Sequence, residues 1–362
     1  MLESITITGY RGIEYLELQG LKRVTLLVGK NNCGKTSVLE AIGLGWSNTP
    51  VYELVKIAER RSEVVPSVEN FSAGEMVPRH IFRNHELKES SPVKLELKGT
   101  LNRTRTITCI ELANGQASRD VWSMGDDSND GNAVIEIGSS DEKTPLQMRL
   151  TQGQTFPNKF LGRNFSIEQR QKAKPYFLGT ESLSIGEMGI LWGNLVLSES
   201  ESIIIQALRG LEPRLEQLAF VPDSSFRGAS GGQFKVKLKG QKEPVPLGSM
   251  GDGMRRFLAL AFAMRNCENG VFLIDEIDTG LHYTVMLDMW KFIVHAARSL
   301  NMQVFATTHS QDCIDSLAEF MANEPEFQDE FGLQRIEVGS PVGIHYSAEE
   351  IQLCVSRRIE MR

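Results

Sequence analysis

The first part of the chain alternates. Ile5-Thr6-Ile7-Thr8 and Tyr15-Leu16-Glu17-Leu18 send every second side chain to one face, as a half-buried strand does, and Val24-Thr25-Leu26-Leu27-Val28 reads as a strand covered on both sides. A helix is predicted from about Thr36, where Val38, Leu39 and Ile42 share a face. Between residues 47 and 232 the pattern loosens. Residues 93–97 and 106–110 alternate like antiparallel strands, and the polar stretches 125–132 and 138–143 read as exposed turns or mobile loops. Helical spacing returns over 200–218, with Ile203, Ile204, Ala207, Leu208, Leu211 and Leu215 in one stripe that Gly210 or Pro213 would divide. After Gly232 the order is plainer. A strand at 234–238 is followed by a helix carrying Met254, Phe257, Leu258, Ala261 and Met264, then by the apolar strand Val271-Phe272-Leu273-Ile274. A second helix carries Met286, Met289, Trp290, Ile293, Val294 and Ala297 at three- and four-residue steps, and a last strand runs over 304–308. Strand and helix alternating in this way predict a parallel sheet covered on both faces.

Chemistry sits at the ends of those strands. Gly29-Lys30-Asn31-Asn32-Cys33-Gly34-Lys35-Thr36, continued by Ser37, fits the phosphate-loop pattern G-x-x-x-x-G-K-[ST] between an apolar strand and a helix. Gly29 and Gly34 let the backbone turn its N–H groups toward phosphate, Lys35 reaches the β- and γ-phosphates, and Thr36 offers a hydroxyl to Mg²⁺. The strand 271–274 ends in Asp275-Glu276. There Asp275 is placed to hold Mg²⁺ and Glu276 to act as general base toward the attacking water. Thr307-Thr308-His309-Ser310 follows another apolar strand, which suits His309 to bonding the γ-phosphate and that water. Ser249-Met250-Gly251-Asp252-Gly253 leads into a helix, a second anion-binding end. One nucleotide has little use for two such ends, so the second implies a neighbouring copy and hence a dimer.

These motifs together resemble the ATPase heads of the RecF, SMC and OLD (overcoming lysogenization defect) proteins, within the ABC superclass. Tyr10-Arg11-Gly12-Ile13 looks like their aromatic-arginine motif, 248–253 like a divergent signature, 276–282 like their D-loop and 307–310 like the OLD-type switch. The signature departs from L-S-G-G-Q, with Met250 for a glycine and Asp252 for the glutamine. The resemblance implies an α/β P-loop NTPase, an ABC-type head with a mainly parallel sheet flanked by helices and an antiparallel N-terminal β subdomain. It implies a single ATPase domain over 1–362, with 1–46 and 233–362 as nucleotide-binding core and 47–232 as an intervening β and helical arm region. ATP and Mg²⁺ are the implied cofactors. Two heads would sandwich ATP as a homodimer, Ser249 and Gly251 touching the partner's γ-phosphate and Arg11 lying near the phosphates or the adenine. No sustained heptad region of the SMC kind is present. The stretch after His309 is short for the Toprim nuclease of full-length OLD proteins, and no D-x-D pair occurs. A separately encoded effector, such as a Toprim-like nuclease in phage defence or DNA maintenance, is the expected partner. A nucleotide switch with negligible turnover, a transporter ATPase and a nuclease are the alternatives.

Composition narrows this. A formal charge of −7 makes the whole chain a poor match for nucleic acid, so DNA or RNA contact is expected only locally. The candidate is 159–174, where Lys159, Arg163, Arg170, Lys172 and Lys174 are interleaved with Phe160 and Phe165; a solvated helix face is the plainer reading. Five scattered cysteines form no C-x-x-C or His-paired spacing, which argues against a zinc site or disulfide framework. No apolar run is long enough to span a membrane, and no signal segment opens the chain, so a cytoplasmic protein without membrane partners is expected.

Overall fold

The computed structural model describes residues 1–65, 75–88, 91–111, 130–151, 155–157, 175–222 and 231–362. In chain order the strands are β1 (Leu2–Tyr10), β2 (Ile13–Gln19), β3 (Val24–Val28), β4 (Val64–Val65), β5 (Glu75–Met76), β6 (Val93–Gly99), β7 (Arg103–Glu111), β8 (Asp130–Ser139) and β9 (Leu146–Thr151). They continue as β10 (Phe156–Pro157), β11 (Tyr176–Leu178), β12 (Leu215–Pro222), β13 (Gly232–Leu238), β14 (Val245–Pro246), β15 (Val271–Ile274), β16 (Gln303–Thr307), β17 (Phe331–Arg335) and β18 (Ile344–Tyr346). The helices are α1 (Lys35–Trp46), α2 (Pro50–Arg60), α3 (Ile185–Gly193), α4 (Glu199–Leu211), α5 (Asp252–Arg265), α6 (Tyr283–Ser299), α7 (Gln311–Asn323) and α8 (Ala348–Ser356). Two compact units share the chain. One is built from Met1–Lys22, Gly29–Pro175 and Gln334–His345, the other from Arg23–Val28, Tyr176–Leu333 and Tyr346–Arg362.

The first unit is organised by an antiparallel sheet in the order β2-β1-β6-β7-β8-β9. The alternation at the start of the chain decides its register: Ile5 faces Leu18 and Leu97, Ile7 faces Leu16 and Leu95, and all six are buried. Helix α1 packs on β1, β6 and β7. Its last carbonyls, which have no partner inside the helix, are taken up by arginines of β7. Arg103 Nη1 donates to Trp46 O (2.8 Å) and Arg105 Nη2 to Ser47 O (2.8 Å). Arg105 is fully buried, and burial, with Arg103 beside it, pulls its pKa down to about 10.

The second unit holds the parallel sheet, β11-β15-β16-β3, with β17 next to β3. β3, β15 and β16 are buried along their whole length, because helices cover such a sheet. Helix α5 is buried at every position from Arg256 to Met264, whereas α6 buries only Met286, Met289, Trp290, Ile293, Val294 and Ala297, one stripe. In the ladders Leu178 pairs with Ile274, Ile274 with Ala306, and Ala306 with Leu26. The carboxyl ends of β11, β15, β16 and β3 therefore lie along one edge, where open α/β sheets place their ligands.

The structure has the expected fold class, α/β with a parallel sheet flanked by helices and an antiparallel β subdomain. It corrects four details. Leu215 leaves the predicted helical stripe: α4 ends at Leu211 and Leu215 begins β12, because Pro213 cannot donate the next helical hydrogen bond. Ile203, predicted in the same buried stripe, is 57% exposed, and Ile204 and Leu208 carry the packing. Gly138 and Ser139 belong to β8, paired with Thr106 and Arg105, and the turn starts after them. Of the polar stretch 125–132, residues 130–132 fall in β8 and the remainder lies outside the described residues.

Candidate functional site

The phosphate-loop segment is shaped by three positive-φ residues. Gly29 (φ 142°) follows β3 directly, and a Cβ there would stand 2.3 Å from Ile336 O and 2.8 Å from Cys33 Sγ. Asn32 (φ 60°) and Gly34 (φ 98°) complete the turn, and Gly34 is the N-cap of α1. No side chain caps α1, so its first N–H groups meet whatever approaches that end. Lys35, 5% exposed, folds back over the loop, its Nζ donating to Gly29 O (2.7 Å) and Lys30 O (2.9 Å) and lying 3.7 Å from Cys33 Sγ. Asn31 and Asn32 are exposed, Cys33 is buried, and Thr36 and Ser37 are half-buried. Backbone donors at a helix start beside a buried ammonium make a binding place for an anion of high charge.

Arg11 belongs to an ionic network in the same unit. Its guanidinium bonds both oxygens of Glu63 (2.6 and 2.8 Å), and its Nε lies 3.1 Å from Glu40 Oε2 and 3.3 Å from Tyr10 Oη. Glu40, on α1, is also held by Arg61 Nε (2.7 Å), and Arg61 Nη2 reaches Ser37 Oγ (3.4 Å). Burial, then the charge of Glu40, raises the Tyr10 phenol above its ordinary range, so it stays a neutral donor.

In the second unit the sheet edge brings together Asp275, Glu276 and His309. The Thr307 hydroxyl accepts from Glu276 N (2.8 Å) and donates to Asp275 Oδ1 (2.6 Å), which fixes that carboxylate at the strand end. Thr308 Oγ1 donates to Asp278 Oδ1 (2.5 Å), tying the following turn to β16. Glu276 itself is left-handed (φ 47°), a conformation costing a non-glycine residue about 1–3 kcal/mol. Its carboxylate accepts from Thr279 Oγ1 (3.1 Å) and lies 3.6 Å from His309 Nε2, with both side chains partly open to solvent. The His309 carbonyl is held by Arg362 Nη1 (2.9 Å). Ser249 and Gly251 are exposed, in a short 3-10 turn and at the N-cap of α5, where Gly251 has φ 89°.

Sequence reasoning passed over two contributors. Thr307 shows in the sequence only as part of a strand end and of the 307–310 motif. Arg256 carries no signal in the helix pattern, yet it is 3% exposed and donates to Gly179 O (2.6 Å), Asp275 O (3.0 Å) and Glu276 O (3.2 Å). Burial lowers its pKa, against the pull of Asp275, Asp278 and Glu276. The basic stretch 159–174 lies outside the described residues.

A buried strand running into a glycine loop and helix, with carboxylates and a histidine on one edge of the parallel sheet, defines the class of P-loop nucleotide hydrolases. The chain belongs to the AAA ATPase domain family, whose profile matches residues 1–108 and 201–314. An ATP/GTP phosphatase of Helicobacter pylori (strain ATCC 700392 / 26695) is 22% identical over 391 residues, 97% of this chain and 99% of that protein. Among solved structures, the SMC head bound to the C-winged helix domain of ScpA aligns at TM-score 0.48 and 13% identity, covering 96% of this chain and 98% of that one. The SMC head domain from Thermotoga maritima aligns at TM-score 0.45 and 11% identity with the same coverage. No helix among the described residues is long and apolar enough to cross a membrane.

Proposed function

We propose that this ATPase hydrolyses ATP with Mg²⁺, using the 29–36 loop, Asp275, Glu276 and His309, and that it acts as a homodimer around the nucleotide. The observation that carries the reading is the sheet edge, where Thr307 fixes the Asp275 carboxylate and a left-handed Glu276 stands 3.6 Å from His309. The donor set fits the metal: Mg²⁺ takes one or two protein oxygens beside phosphates and water, and Thr36 and Asp275 supply a hydroxyl and a carboxylate. Bound there, the ion would neutralise charge on the phosphoryl oxygens. Lys35 and the N–H groups of 29–36, with Ser37 behind them, bind the β- and γ-phosphates. Glu276 takes a proton from the attacking water, and His309, with its ring beside that carboxylate, orients the water and donates toward the γ-phosphate. Arg11 acts near this end through its contacts to α1. That a relative spanning nearly the whole chain is called an ATP/GTP phosphatase supports hydrolysis over a passive switch.

The exposed Ser249 and Gly251 at the start of α5 are the surface offered to a second copy's γ-phosphate. By resemblance to OLD proteins, closing and reopening of that dimer gates a separately encoded cytoplasmic effector, a Toprim-like nuclease in phage defence or DNA maintenance, with DNA touched by 159–174. Steady-state hydrolysis by Glu276→Gln tests the core of this reading. The expected loss in kcat is on the order of 10²- to 10⁴-fold, with ATP binding retained. Hydrolysis at the wild-type rate would overturn it.

A further inference from the structure

We propose that Arg256 is a positioning residue that sets the backbone of Glu276, and so couples the N-terminal end of α5 to hydrolysis. The proposal rests on Glu276 being the base. A guanidinium buried to 3% exposure is costly unless its donors are used, and among the described residues no carboxylate stands within ion-pair distance of Arg256. Its Nη1 and Nη2 donate instead to main-chain carbonyls at the carboxyl end of the sheet, Gly179 just beyond β11 and Asp275 and Glu276 just beyond β15, while the buried Nε has no hydrogen-bond partner.

Two of those carbonyls bracket one residue. The oxygens of Asp275 and Glu276 sit on the peptide planes before and after the Glu276 Cα, so a single Nη2 bonding both fixes the angle between the planes. That relation is set by φ and ψ of Glu276, and its φ of 47° is the strained one. Strain of this kind persists only where the surroundings over-determine it, and Arg256 together with the Thr307 hydroxyl on Glu276 N supplies the restraint.

The arginine is also on the helix that begins at the exposed Ser249–Gly253 turn, five residues after its Gly251 cap. The first turn of α5 touches the segment after Glu276 a second time at Gly253, where a Cβ would stand 3.1 Å from Gly280 O. A ligand or partner that shifts the start of α5 therefore moves the carbonyl fork, and with it the direction in which the Glu276 carboxylate points.

Arg256→Gln removes the fork, and Arg256→Lys keeps the charge with a single point donor. The measurements are kcat and KM for ATP, with rates divided by the number of nucleotide-binding sites found by titration with a fluorescent ATP analogue. A merely structural role lowers the number of sites and leaves the rate per site intact. The expected result is a fall in kcat per site of at least tenfold for Arg256→Gln, a nucleotide affinity within twofold of wild type, and partial recovery in Arg256→Lys. If Arg256→Gln does not fold, Arg256→Lys alone still reads the effect as a reduced kcat at unchanged affinity.

Because the arginine acts through Glu276, adding Arg256→Lys to Glu276→Gln should slow the residual rate no further. Wild-type kcat per site in the arginine variants, a change confined to KM, or a full further loss in the double variant would each overturn the proposal. An active Glu276→Gln would overturn the assignment of the base instead, so the two failures are told apart.

Discussion

At Gly29 the chain adopts a conformation that closes the space a side chain would need. The φ of 142° and the 2.3 Å from a built Cβ to Ile336 O leave a substituent against backbone, which cannot rotate away. Gly29→Ala is expected to cost at least about 2 kcal/mol of stability and to abolish binding of a fluorescent ATP analogue; binding at wild-type affinity in that variant would mean the loop does not shape the nucleotide site. The loop was legible in the sequence because its requirements are local: glycine where φ is positive, lysine and threonine at the helix start. Arg256 was not. A pair of arginines reads as solvent-facing, and only the fold shows that Arg255 and Arg256 open a helix packed on all sides, with the second charge spent on three carbonyls. Thr307 was hidden for a different reason, since a hydroxyl bridging Glu276 N and Asp275 Oδ1 depends on the register of β16 against β15.

Among the elements, those with one dominant period were read correctly from the sequence, as the α6 stripe and the fully apolar β15 show. Leu215 and Leu218 are three apart, a spacing that also fits a strand interrupted by a bulge, and the register shift between Leu215 and Gln217 shows one. Helix α2 carries a feature that only burial reveals. Its Glu53 is buried, and burial pushes that carboxyl above its ordinary 4.5 even with Arg60 Nη2 at 3.4 Å. A carboxyl whose folded pKa is raised contributes stability fully below its unfolded value, and that contribution is lost as pH rises through the folded one. Glu53→Gln should therefore gain on the wild type as pH climbs from 4.5 toward neutrality, read by paired urea titrations at mildly acidic and neutral pH. Parallel curves would show that Glu53 does not carry the dependence.

At the scale of the molecule, the proposed completion of the nucleotide site by a second copy would make assembly depend on the loop. Glu276→Gln with ATP should sediment as a dimer, and adding Lys35→Ala should return it to monomer; a dimer that ignores both ATP and Lys35 would detach oligomerisation from the phosphate loop. The parallel sheet has a further consequence, in the order of synthesis. Val24 on β3 has its partner at Val304 on β16, while the ladders from β1 to β9 join residues made no later than Thr151. On the ribosome the antiparallel sheet can close early, but β3 emerges as an orphan strand of apolar residues whose neighbour, β16, is translated long after it. Whatever shields Val24–Val28 during that interval decides how much of the newborn chain reaches a form able to bind nucleotide at all.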